Sequence, residues 1–302
     1  MRTLNIVCIS PHADDASIFC GGTLARFARE GHAVHIVRVT NDDKDSFGMS
    51  REDTIAVNAR EAAEAFAILG AMQTFHLYYP NDEMEPISET DIREKFIRIF
   101  RQVKADVVIS FDPWGIYEEN PDHTKCAQAA DDACWQSGGD RYNPEHFAQG
   151  LAPHTIGERL YYARRLPEVN HIVDITQTMD AKIAAVCAHR NMVANIVRGF
   201  REKLRANRLR IPWLDEMSPG VKGQEAPRLR SLDVARDRSG QAPRRCSEQA
   251  SSCPTALIER FLREAARAVG KQIGVEYGEA FRRNRFGELE GFVAQHAVVI
   301  DD

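Results

Sequence analysis

The chain has 302 residues, a formal net charge of −5, 43% apolar and 27% charged residues. These values are ordinary for a globular protein, and a chain of this length can bury roughly three quarters of its unfolded surface without disulfides or a structural metal. The mild acidity argues against a nucleic-acid partner, which would call for clustered Lys and Arg. No run approaches the roughly 18 apolar residues of a membrane span, so no membrane partner is expected.

In chain order, Leu4–Ser10 is a short, mostly apolar run of the kind buried on both faces of a sheet. Thr23–Glu30 reads as a helix stopped by Gly31, and Val34–Thr40 as the next strand. Asp53–Leu69 is amphipathic, with Ile55, Ala59, Ala62, Phe66 and Leu69 at helical spacing and Gly70 at its end. Thr74–Tyr79 is strand-like, Ser88–Val103 helical, and Asp106–Phe111 a buried-type strand. This alternation predicts an α/β fold, a mostly parallel sheet flanked by helices. Ligands of such sheets sit beyond the carboxyl ends of the strands, so chemistry is sought just after Ser10, Thr40, Tyr79 and Phe111.

The second half reads as a helix around Thr124–Ala133, strands at Arg159–Ala163 and His171–Ile175, and helices at Thr178–Met192, Val193–Asn207 and Thr255–Val269. Phe292–Ile300 reads as a last strand. From Arg198 to Arg245 there are 13 Lys plus Arg against 6 Asp plus Glu. Ser218–Pro254 shows neither period and reads as a flexible, basic C-terminal loop or insertion in a single domain spanning residues 1–302. The seven cysteines are widely spaced without C-x-x-C, which suits reduced thiols. With no signal-peptide pattern after Met1-Arg2-Thr3, a cytoplasmic location is expected.

Ser10-Pro11-His12-Ala13-Asp14-Asp15 leaves the first strand, and imidazole and carboxylate are suitable ligands for Zn²⁺. A loop there can aim His12 and Asp15 at one point. Asn120-Pro121-Asp122-His123, after the fourth strand, supplies a third ligand in His123, unless His123 or Asp122 simply caps the following helix. Asp14 is the candidate general base, since zinc lowers the pKa of water toward about 7 and a neighbouring carboxylate can take its proton. The bland alternative is that Asp14 or Asp15 caps a turn.

On these residues the chain resembles the LmbE-like, PIG-L deacetylase family. The family's P-H-P-D-D and G-G-T stand here as Pro11-His12-Ala13-Asp14-Asp15 and Gly21-Gly22-Thr23, and its H-P-D-H as Asn120-Pro121-Asp122-His123. Weaker echoes are Glu61 to Leu69-Gly70, Pro153-His154-Thr155, Val173-Asp174-Ile175 with Lys182 and His189, and Tyr277-Gly278-Glu279-Ala280-Phe281-Arg282. The resemblance implies a Rossmann-like sheet and a mononuclear zinc held by His12, Asp15 and His123. It also implies hydrolysis of an N-acyl group, usually acetyl from a glucosamine-type sugar, with Asp14 as base. Three positions depart from the pattern. Ala13 replaces a proline, Asn120 a histidine that polarises the oxyanion and protonates the leaving amine, and Asn58 a substrate-binding arginine.

Asn can donate a hydrogen bond but no proton near neutral pH, so the leaving amine needs Asp14 as shuttle or His189 as acid, with Asn120 as oxyanion donor. His189 is read equally as a core residue or as reaching the site. Asn41-Asp42-Asp43-Lys44-Asp45 reads as a solvated acidic loop in which Asp42 could bind a substrate hydroxyl, and Asn81-Asp82 is similar. Trp114 and Tyr117 could stack on a sugar ring or merely pack their loop. The leading expectation is a zinc N-deacetylase acting on a small molecule, with self-association admitted. The alternative keeps the metal but adds water to an unsaturated acid. A nucleotide-binding domain lacks its G-x-G-x-x-G after the first strand.

Overall fold

The computed structural model describes residues 2–211 and 254–298; most of the 218–254 segment therefore lies outside the described residues. Its seven strands are β1 (Asn5–Ser10), β2 (Ala33–Thr40), β3 (Gln73–Tyr79), β4 (Val107–Phe111), β5 (Glu158–Tyr162), β6 (His171–Asp174) and β7 (Gly278–Asn284). They form one sheet in the order β3-β2-β1-β4-β5-β7-β6. The β1–β2, β1–β4, β2–β3 and β4–β5 pairs are parallel, while β7 runs antiparallel to both β5 and β6.

The helices are α1 (Asp15–Arg29), α2 (Arg51–Ile68), α3 (Glu89–Val103), α4 (Pro121–Gln136), α5 (Glu145–Ala148), α6 (Met179–Ala188), α7 (Arg190–Ala206), α8 (Pro254–Gly270) and α9 (Glu290–His296). Successive strand side chains alternate between two cores. Ile6 and Cys8 of β1 join Val34 and Ile36 of β2 against Leu24, Phe66 and Val186 of α1, α2 and α6. Val7 and Ile9 join Val37 and Val39 against Ile92, Phe96, Cys126 and Ala130 of α3 and α4. Burial on both faces explains why these strands read as continuous apolar runs.

The chain runs outward through β1, β2 and β3 and then returns to the other side of β1 as β4. The carboxyl ends of β1 and β4 thus flank the point where strand order reverses, the usual place for a ligand in an open α/β sheet.

Several elements differ from the sequence reading. Helix α1 begins at Asp15 rather than Thr23 and kinks at Cys20 (φ −137°, ψ 17°), so Gly21 and Gly22 lie inside it. A Cβ on Gly22 would come within 2.7–2.9 Å of Ile175, which is why that position tolerates only glycine. The Thr178–Met192 segment is broken at His189, the junction of α6 and α7. Residues 292–296, expected to be strand, belong to α9, and 299–300 lie outside the described residues. Among the described residues the last strand is β7 instead, whose fully buried Phe281 is followed by the polar Arg282, Arg283 and Asn284. Among the described residues no helix is long and apolar enough to cross a membrane.

Candidate metal centre

The loop from β1 to α1 is fixed from within and from β2. Ser10 Oγ donates to the His12 carbonyl (2.6 Å) and accepts the Ala16 N–H (3.0 Å), and the His12 N–H donates to Asp15 Oδ2 (2.8 Å). Thr40 Oγ1 donates to the Pro11 carbonyl (2.9 Å), and the Ala13 N–H donates to Asp42 Oδ1 (3.1 Å). Arg38 Nε holds Asp42 Oδ2 at 2.7 Å.

His123 enters from the first turn of α4. Asn120 caps that helix, its Oδ1 accepting the Asp122 N–H (2.9 Å), with Pro121 at the first helical position. Phe111, the last residue of β4, stacks on the His123 ring with centroids 4.0 Å apart.

His12 Nδ1 lies 3.0 Å from His123 Nε2 and 3.3 Å from Asp15 Oδ2, and His123 Nε2 lies 3.4 Å from Asp15 Oδ1. All three side chains are buried. Tetrahedral zinc with nitrogen and oxygen donors at about 2.0–2.2 Å sets those donors roughly 3.3–3.5 Å apart. Two imidazoles and a carboxylate at this spacing fit the ion.

Each histidine also has a carboxylate at its other nitrogen. His12 Nε2 is 3.3 Å from Asp122 Oδ2, and His123 Nδ1 is 3.0 Å from Glu118 Oε1, an ion-pair distance out of line for a hydrogen bond. Such partners fix the ring and raise its basicity as a ligand. Asp122 is itself held by the N–H groups of Asp82 (2.7 Å) and Met84 (3.3 Å). Glu118 lies two residues before Asn120-Pro121-Asp122-His123 but carries no signal of its own, since its approach to His123 depends on how the loop before α4 folds back.

The electrostatics follow from burial and charge. Burial alone would lower both histidines. For His12, the bonds to Asp122 and Asp15 outweigh it and hold the ring well above its ordinary value. For His123, Asp15's charge and hydrogen bond push it up to about 9. Asp15 is held below the usual carboxylate range, because the His123 charge and the bonds of both rings overcome its burial. Asp14 goes the other way, to about 8, through burial first and the Asp15 charge next, with His12 opposing. Its carboxylate meets no hydrogen-bond partner among the described residues. The centre thus favours positive charge at its donors, with the Asp14 carboxyl beside them.

Two other sets of ligating atoms occur among the described residues, His12–Asp82–Asp122 and Glu94–Glu145–His146. In the first, Asp122 is already engaged by two backbone N–H groups and Asp82 is exposed. In the second, Arg98 and Arg101 already neutralise Glu94 and contact His146. In the His12–Asp15–His123 set all three residues are buried, Asp15 accepts a single backbone N–H, and no arginine bonds to them among the described residues.

Residues 7–134 match the family description "PIG-L: GlcNAc-PI de-N-acetylase". This family match runs from β1 into α4. A diacetylchitobiose deacetylase of Thermococcus kodakarensis is 27% identical over 186 residues, 61% of this chain and 68% of that one. The N,N'-diacetylchitobiose deacetylase of Pyrococcus horikoshii has the same fold, with a TM-score of 0.68, 24% identity, and coverage of 94% of this chain and 85% of that one. The fold is shared too by the 4-carboxy-2-hydroxymuconate hydratase of Pseudomonas putida, with a TM-score of 0.52, 19% identity, and coverage of 68% of this chain and 89% of that one.

The remaining sequence candidates divide. Asp82 lies at the edge of the centre, where its Oδ1 accepts Asn120 Nδ2 (3.0 Å). Asp42 is not a solvated rim acid. It is fully buried, and its oxygens are taken by Arg38 and the Ala13 amide, so it holds the ligand loop. The helix cap is Asn120, rather than His123 or Asp122. His189 is not brought to the donors. It is buried, its Nε2 lies 3.1 Å from Ser17 Oγ, and Phe66 meets it edge-on. Burial, then the Arg38 charge, pulls it down to about 4, so it is neutral near neutral pH and is no acid there. Trp114 and Tyr117 are exposed on the loop between β4 and α4. Arg282 lies beneath the Trp114 ring (4.9 Å), anchored on Asp112 (2.6 Å), and Arg165 is 5.6 Å from the Tyr117 ring. Asn58, where the family pattern has arginine, is buried, with both ends of its amide used by the Asp42 carbonyl and Asn191.

Proposed function

We propose that the protein is a zinc-dependent N-deacetylase that removes an acetyl or other N-acyl group from a glucosamine-type sugar or related small molecule. One observation carries this reading: His12, Asp15 and His123 converge at zinc-ligand spacing beside an Asp14 carboxylate that meets no hydrogen-bond partner among the described residues. The substrate class is supported by the family description and by the diacetylchitobiose deacetylase relative. Zinc on these donors would supply Lewis acidity, making water a nucleophile at neutral pH and polarising an amide carbonyl.

The chain's own residues supply the rest. Asp14 takes a proton from the attacking water on its carboxylate and returns it to the leaving nitrogen. Burial and the Asp15 charge favour the protonated carboxyl, a cation on the neighbouring donors favours the ionised one, and the opposition lets Asp14 both accept and give. With His189 neutral and bonded to Ser17, no second acid is required. Asn120 has its amide oriented by the helix cap and spends one N–H on Asp82, which leaves the other for the substrate oxygen. Asp82, Trp114 and Tyr117 form the rim against which the sugar rests. The buried thiols Cys8, Cys20, Cys126 and Cys134 suit a reducing, cytoplasmic setting.

The test is metal content, followed by acetate release from N,N'-diacetylchitobiose and a panel of N-acetylated glucosamines. Zinc near one equivalent and chelator-sensitive acetate release are expected. Hydration of an unsaturated acid without acetate release from any amide overturns the reading.

A further inference from the structure

Helix α1 breaks at Cys20, so the N–H groups of Gly22 and Thr23 stand at the start of a second helical segment, where donors lack partners from the turn before. A carboxylate from the far end of the chain meets them. Glu279 of β7 accepts the Gly22 N–H on Oε1 (3.0 Å) and, on Oε2, the Thr23 N–H (2.7 Å) and hydroxyl (2.6 Å). Lys182 of α6 completes the group, with Nζ 2.5 Å from Oε1. All of these residues are buried. A negative charge at a helix N-terminus, with its donors satisfied, is stabilising there.

The break separates two parts of α1. Its first turn, from Asp15, carries a candidate ligand and follows directly on Asp14. The second part packs into the core through Leu24. Helix α6 holds both parts. Lys182 reaches the break through Glu279, while His189, at the end of α6, holds Ser17 in the first turn. Thr178 Oγ1 also donates to the Gly22 carbonyl (2.8 Å), just where Ile175 leaves no room for a Cβ.

We propose that Glu279 is a positioning residue for the metal centre: it clamps α1 at its break and so sets the direction in which the first turn presents Asp14 and Asp15 to His12 and His123. This rests on the zinc reading above. It gives Tyr277-Gly278-Glu279-Ala280-Phe281-Arg282, more than 250 residues after the ligand loop, a part in the chemistry without contact with substrate.

The test compares wild type with Glu279→Gln and with the double variant Lys182→Met, Glu279→Gln, which leaves no lone buried charge. Thr23→Val, which removes one donor at constant shape, serves if either fails to fold. Phe96→Leu, in the core on the other face of the sheet, controls for general destabilisation. Zinc affinity is read by competition with a chromophoric chelator, and ligand geometry by the visible spectrum of the Co²⁺-loaded protein. The clamp variants should bind zinc about 10- to 100-fold more weakly, the range for partners that orient a metal site. Their Co²⁺ spectrum should change, and kcat should fall by a similar factor with KM unchanged. Phe96→Leu should lower Tm yet leave affinity and spectrum as in wild type. If the clamp variants match wild type in affinity and spectrum, or lose affinity only in proportion to Tm as Phe96→Leu does, the clamp is overturned and the zinc reading stands. If wild type itself binds no zinc, both fall.

Discussion

His12 Nε2 lies 3.3 Å from Asp122 Oδ2, while the other nitrogen of the same ring faces His123. A proton on Nε2 therefore has an acceptor, and Nδ1 is left with its lone pair toward Asp15 and His123. In Asp122→Asn the amide can still accept one backbone N–H, but the charge that favours this tautomer is gone. Zinc affinity should fall about 10- to 100-fold. Affinity equal to wild type in a chelator competition would show that Asp122 serves only to hold Asp82 and Met84.

Replacing His12, Asp15 or His123 by Ala should remove most bound zinc while the fold survives. The two cores on either face of the sheet are built from residues such as Ile6, Phe66, Val7 and Phe96, which do not depend on the ion. Zinc should also raise the Tm of wild type in a concentration-dependent way, since a ligand that binds only the folded state stabilises it. Full zinc occupancy in His123→Ala would refute the ligand assignment.

Asp14→Asn keeps the shape of the side chain but cannot accept a proton from water. A loss of roughly 10²–10⁴ in kcat is expected, the usual size of a general-base contribution. Metal content should not change, because Asp14 is absent from the converging donors. Wild-type turnover with metal bound would rule out the role.

The pH dependence of stability in the presence of a chelator follows from His123 and Asp14. Both have raised folded-state values, about 9 and about 8, against ordinary values of 6.5 and 3.8. From pH 6.5 to about 9 the folded state therefore binds more protons than the unfolded one, and stability falls as pH rises through that window. Its favourable charge on His123 is fully present below 6.5 and lost through 9. Tm measured in chelator should drop across this window, and the drop should shrink in His123→Ala. A Tm independent of pH there would contradict the close packing of His123 on Asp15.

Much of this was legible in the sequence because it is local. The runs that became β1, β2 and β4 are apolar on both faces, His12 and Asp15 follow β1 directly, and His123 opens the helix after β4. Most of what was missed depends on distant parts of the chain. The Asn41-Asp42-Asp43-Lys44-Asp45 run looks solvated, yet Arg38 in the strand just before it pairs with Asp42 in the interior, a case where the missed contact is local but its burial is set by the packing around it. Gly21 and Gly22 read as punctuation before a helix, whereas Glu279 and Ile175 make them part of one. Strand β7 hides its single large apolar residue, Phe281, among polar ones because both of its neighbours are antiparallel and lie near the sheet edge. Phe292 and Val293 look strand-like over so short a stretch, yet they lie in the short helix α9.

Asn120 combines two roles that substitution can separate. Its Oδ1 caps α4, while its Nδ2 donates to Asp82 and is the proposed donor to the substrate oxygen. Ser caps a helix about as well as Asn but has no amide. Asn120→Ser should therefore keep Tm close to wild type and zinc bound, and still lose about 10²–10³ in kcat, the size found when an oxyanion donor is removed. Asn120→Ala should lose the same activity and also about 0.5–2 kcal/mol of stability with the cap. Asn120→His restores the residue that the family pattern places here and adds a group able to protonate an amine. If amide hydrolysis is the reaction, it should raise acetate release from an N-acetylated sugar, most where the leaving amine limits turnover. An Asn120→Ser protein with wild-type kcat would leave Asn120 as a cap alone, and the oxyanion would then need another donor from the same loop.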